Sequence, residues 1–203
     1  MKKGFLVWLL VGVGIILLIG LSAFVTVKNY YNTFVTLEEN VNQSWAQVEN
    51  VYQRRADLIP NLVEVVKGYA KHEKETLQAV VEARSKVGGQ IKVGANVLND
   101  PQAFARFQQA QDALTSALQR LMVVVERYPD LKANQNFLDL QAQLEGTENR
   151  IAVERRRFNE AVQAYNTAIR KFPGNIIASM FGFKEKPYFK AQAGSENAPK
   201  VKF

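Results

Sequence analysis

The chain has 203 residues, a formal net charge of +7 and no cysteine. That length supports about one domain with a single apolar core, and the missing thiols exclude disulfides, thiol catalysis and thiolate metal sites. Basic residues alternate with acidic ones instead of forming a block, so no nucleic-acid partner is expected.

Between Lys3 and Lys28 lie 24 uncharged residues, Gly4 to Val27. As a helix they extend about 36 Å, enough to cross a hydrocarbon core of about 30 Å. Lipid offers backbone amides no partners, so a helix is the economical form. A cleaved secretory signal would share the basic start, Lys2 and Lys3, and the small residues around Ser22 and Ala23. Its apolar core usually runs only about 7–15 residues, so residues 1–27 are read as a retained transmembrane anchor. Two lysines before the span against Lys28 after it favour an inside N-terminus.

From Lys28 to Ile59 there is neither glycine nor proline, and Tyr30, Phe34, Leu37, Val41, Trp45, Val48 and Tyr52 fall in steps of three and four. The spacing predicts one amphipathic helix, continuous with the anchor, from about Phe5 to about Arg55. In "RRADLIP", Asp57 reads as an N-cap with Pro60 in the first turn, while Arg54 and Arg55 close the preceding helix. A kinked but continuous helix is the alternative.

A second helix, carrying Leu62, Val66, Leu77, Val80 and Val87, is expected to end near Val87. Gly88 to Asp100 reads as the one long loop; its glycines lack the Lys-Ser/Thr pair and the spacing of a phosphate loop. Asp100 and Pro101 form an N-cap and N1 pair. Phe104, Phe107, Gln111, Leu114, Leu118, Leu121, Val125 and Tyr128 then form a coiled-coil-like seam with one polar member. Pro129 stops it, and a fourth helix runs from about Leu131 or Asn134 to Pro173-Gly174. The expected fold is all-α: an N-terminal transmembrane helix continuing into an antiparallel four-helix bundle over residues 28–189. The apolar stretch Asn175 to Phe189 either docks on the bundle, the preferred reading, or meets lipid or a partner. Residues 190–203 read as a disordered tail.

His72 is the only histidine, so no His-His zinc pair or serine-type triad can form, and no metal or cofactor is expected. Arg54, Arg55, Asp57, Glu148, Asn149 and Arg150, with Glu145, could gather into a structural polar cluster. The apolar stripe of the fourth helix weakens where Thr147, Glu148, Glu154 and Arg155 intrude. An interior ion-pair network that sets helix register explains this; so does a drifting stripe whose polar residues face solvent or another subunit. Nothing provides the apolar pocket that a paired-carboxylate hydrolase needs, and no enzyme activity is expected.

The phrases "RRADLIPNLV", "YPDLKAN" and "TENRIA" resemble the LemA family of bacterial membrane proteins, and the likeness runs from about Tyr30 to Phe189. The resemblance implies a four-helix bundle of LemA type tethered to a bacterial cell (inner) membrane. It implies no catalytic residues, and a magnetosome-membrane relative suggests membrane-organising work. Family descriptions place the short N-terminus outside, against the lysine count, so the side of the bundle stays open. The leading functional reading is a self-associating scaffold whose partners are the lipid bilayer and further copies of the chain. The alternative is an adaptor or signalling subunit that docks a membrane protease or sensor.

Overall fold

The computed structural model describes residues 2–91 and 94–190. Every regular element among them is helical: α1 (Lys2–Tyr69), α2 (Lys74–Ile91), α3 (Pro101–Val125), the single turn α4 (Pro129–Lys132), α5 (Gln135–Arg170) and α6 (Gly174–Phe181). The tail expected beyond residue 190 lies outside the described residues. In α1 the first 26 described residues include the uncharged run, long and apolar enough to cross a membrane, and from Trp8 to Val27 no side chain is buried.

The described residues divide into two compact units, to which α1 and α5 both contribute. One comprises residues 2–40 and 163–185, the other the described residues from 41 to 162 and from 186 to 190. In the larger unit the C-terminal part of α1, with α2, α3 and α5 as far as Val162, encloses an apolar core. Ile59, Leu62 and Val66 of α1 meet Val80 and Val87 of α2, Leu114 and Leu121 of α3, and Phe137 and Leu144 of α5. The three-four periodicity of the sequence is this inward stripe. A second, aromatic part of the core centres on Trp45, which packs against Phe104, Phe107, Phe158 and Phe189 at 5.1 to 6.0 Å between ring centroids.

Three local expectations are corrected. No helix ends at Arg55 or starts at Asp57 and Pro60, because α1 runs through Pro60 to Tyr69. Asp57 is exposed and accepts from Gln53 Nε2 at 2.7 Å, one turn back, instead of capping amides. Proline at position 60 removes the donor that would reach the carbonyl of Ala56. Arg84 of α2 supplies that donor: its Nε lies 2.8 Å from Ala56 O, so the helix continues without an orphaned buried acceptor.

The chain turns instead at Ala70–Glu73, between α1 and α2. Glu73 accepts from Arg127 and from the Tyr128 hydroxyl, both at 3.1 Å, which ties this corner to the end of α3. His72 sits exposed in the turn. The long loop also proves mostly ordered: α2 continues to Ile91 and Gly94–Asn99 forms a 3-10 turn, with residues 92 and 93 outside the described residues. Val97 and Leu98 of that turn are buried, so its glycine-rich composition conceals an apolar anchor.

Asp100 caps α3 through its carboxylate, which accepts from Gln102 N at 2.8 Å, with Pro101 at the first helical position. Asn134 does the same for α5, accepting from Phe137 N at 3.1 Å. In the smaller unit α6 packs on α1 so closely that a Cβ at Gly174 would lie 3.1 Å from the Phe34 ring and 2.6 Å from Ala168 O. Gly182, in the left-handed region at φ 78°, ends α6.

Candidate functional site: a buried arginine beside the α3–α5 groove

Within the larger unit, the side chain of Arg55 points from α1 into the bundle and is 1% exposed. Its Nη1 donates to Glu148 Oε1 at 2.6 Å and to Thr115 Oγ1 at 3.0 Å. Its Nη2 donates to the side-chain oxygen of Gln111 and, at 3.4 Å, to the carbonyl of the same residue. The Tyr52 ring, one turn earlier on α1, lies 5.1 Å from the guanidinium carbon. One charge from α1 is thereby fastened to two residues of α3 by three hydrogen bonds and to α5 by one. A planar fork with five donors suits this better than a lysine could. Arg55 Nε and Gln111 Nε2 are buried without a hydrogen-bond partner.

Of the residues that the sequence suggested as a cluster, the structure brings together Arg55 and Glu148. Arg54, Asp57, Glu145, Asn149 and Arg150 are exposed around it. Gln111, Thr115 and Tyr52 complete the group. Gln111 was legible as the polar member of an otherwise apolar seam; Thr115 carried no comparable signal. Burial raises the Tyr52 hydroxyl above the usual tyrosine pKa, against the opposing pull of Arg155 and Arg55.

Glu148 is the group's link to solvent, its side chain 41% exposed. It lines a groove of about 740 Å³ between α3 and α5, with Leu118, Met122 and Leu144 on the apolar side and Gln119, Gln141, Glu145 and Asn149 on the polar side. Glu145 accepts from Gln141 at 3.0 Å. With its carboxylate committed to a guanidinium, the arrangement fixes the relative register of three helices. Among the described residues no group of three or more His, Asp or Glu is placed to hold a metal.

These features define a class: an all-α bundle, locked internally by a buried arginine, on a chain whose first helix carries a candidate membrane span. The sequence profile of the LemA family matches residues 44–203. The chain belongs to the LemA family. It is 32% identical to magnetosome protein MamQ of Magnetospirillum gryphiswaldense over 191 residues, covering 84% of this chain and 69% of that protein. Magnetosome protein MamQ 2 of Paramagnetospirillum magneticum is 30% identical over 198 residues, covering 90% and 73%. Protein LemA of Metamycoplasma hominis is 24% identical over 176 residues, covering 87% and 75%.

Proposed function

We propose that this chain is a single-pass, membrane-anchored scaffold of the bacterial cell membrane that associates with copies of itself and organises the bilayer around it, without catalysis. The observation that carries the reading is α1, a single helix whose apolar run and whose bundle-forming stripe belong to one element. The likeness to proteins of the magnetosome supports an organising role. For self-association the bundle offers Val123, 70% exposed on α3 where two surface grooves meet.

The test uses the full chain at native abundance in membranes, carrying Val123→Cys as its one thiol. Oxidation is expected to give covalent dimers, and a chain that stays monomeric overturns the scaffold reading. The second reading is an adaptor for a membrane protease or sensor, favoured by the acid-edged, apolar-floored α3–α5 groove. It predicts that a thiol-to-amine cross-linker attached at the same position captures a different protein.

A further inference from the structure

The smaller unit contains a helix with too much apolar surface for its protein neighbours. In α6 the residues Gly174, Ile177 and Ala178 are buried, at the spacing of one helix face. A second face, Ile176 and Met180, is also apolar, yet these side chains are 52% and 68% exposed. Only Asn175 and Ser179, one turn apart, form a polar stripe. A helix that is apolar nearly all round is normally buried in a core or in lipid, and α6 is half buried in protein.

Its position says what covers the other half. α6 and α1 line a shared groove of about 600 Å³, with Leu18, Ile19, Ala23 and Val27 on the α1 side and Ile176 and Met180 on the α6 side. The α1 residues belong to the uncharged run that is long and apolar enough for a membrane. Leu18 lies ten residues before Lys28, or about 15 Å along the helix, which is roughly half the hydrocarbon thickness. Anything packed beside Leu18 and Ile19 therefore shares their surroundings. Exposed cations flank α6 on both sides, Arg170 and Lys171 before it and Lys184 after it, the arrangement that anchors an interfacial segment at anionic headgroups. Tyr31, 40% exposed, stacks edge-on with Phe181 at 5.0 Å and Phe183 at 5.6 Å. An aromatic cluster at this level matches the belt found at membrane–water boundaries.

We propose that α6 is a second membrane contact: it lies in the same leaflet as the C-terminal part of the span, and lipid acyl chains fill the α1–α6 groove. Asn175 and Ser179 face the headgroups, Ile176 and Met180 face the acyl chains, and Phe181 stays against Tyr31. The chain then holds the bilayer at two points, a spanning helix and a leaflet-deep helix beside it. This rests on the reading of α1 as a membrane span, and the experiment separates the two.

The chain has no cysteine, so single thiols can be placed at will. Full-length protein is reconstituted into vesicles of phosphatidylcholine and phosphatidylglycerol. A fluorescent probe is attached through Met180→Cys, Ser179→Cys, Gly14→Cys in the span or Glu82→Cys on the bundle. Quenching is read with brominated lipid acyl chains and with aqueous iodide. The expected result is lipid quenching at Gly14→Cys and Met180→Cys several-fold above that at Ser179→Cys and Glu82→Cys, with the reverse order for iodide. Iodide quenching at Met180→Cys, with Gly14→Cys still in lipid, overturns the proposal and leaves the span standing. Iodide access at Gly14→Cys overturns the span, and α6 with it. A Met180→Cys probe shielded from both quenchers means that protein covers α6, which also overturns the proposal. Met180 is 68% exposed and a Cβ at Gly14 meets nothing within 4 Å, so neither substitution disturbs packing.

Discussion

Arg55 is a charge taken out of water, and its partners determine whether the bundle tolerates it. A buried guanidinium that loses a partner costs far more than its formation contributes, because the remaining groups stay desolvated. Replacing Arg55 by Ala removes the charge but leaves a cavity and strips donors from Gln111, Thr115 and Glu148. The expected loss is about 3 kcal/mol. Glu148→Gln keeps an acceptor for Arg55 and surrenders only a solvent-screened attraction, since that side chain is 41% exposed; about 1 kcal/mol is expected. Arg54→Ala, one residue away and exposed, should fall within about 0.5 kcal/mol of the parent. Urea unfolding of the detergent-solubilised full chain ranks the three. Equal losses at positions 54 and 55 would remove the structural role of the buried arginine. Adjacent arginines look alike in sequence. Which of them turns inward depends on the phase of α1 against Gln111 and Glu148, residues 56 and 93 positions away.

At the scale of elements, the same type of local signal succeeds once and fails once. Asp100 and Pro101 begin α3, and the carboxylate closes the cap within two residues. Asp57 and Pro60 look equally like a beginning but lie within α1, because Arg84 reaches across from α2 to the carbonyl that the proline leaves open. This makes a coupled prediction. Arg84→Met should cost about 1–2 kcal/mol by stranding the carbonyl of Ala56, a residue 5% exposed. In a Pro60→Ala background the restored amide occupies that carbonyl, and the cost of Arg84→Met should fall by about 1 kcal/mol. A double-mutant cycle by urea unfolding measures the difference; additive losses would show that Arg84 does not serve the proline. The true corner is Ala70–Glu73. It carried no glycine or proline to announce it.

For the molecule as a whole, the larger unit recruits a segment from the far end of the described chain. Phe189 is 6% exposed, packed on Trp45, Phe104 and Phe158, with the Arg155 guanidinium 4.6 Å from its ring. Asn159 brackets it, accepting from its amide at 2.9 Å and donating to its carbonyl at 3.0 Å. Nearby, Lys186 Nζ donates to Asn99 Oδ1 at 2.6 Å. Phe189→Ala is expected to cost about 3–4 kcal/mol, as removal of a buried aromatic does. Phe172→Ala, at a side chain 80% exposed, should change solubilised stability by less than about 0.5 kcal/mol. Thermal unfolding in one detergent compares the two, and similar losses would deny Phe189 its place in the core.

The sequence by itself determined the helical class, the uncharged run, the seam of α3 and the cap at Asp100. Each is written in spacing or chemistry that acts within a few residues. Only the tertiary structure decided that α1 passes Pro60, that Arg55 and not Arg54 is buried, that Gln111 and Thr115 receive it, and that Phe189 closes the aromatic core. Those outcomes depend on donors, acceptors and ring faces supplied by distant parts of the chain. A local pattern can offer such a group for burial, but only its partner makes that burial affordable.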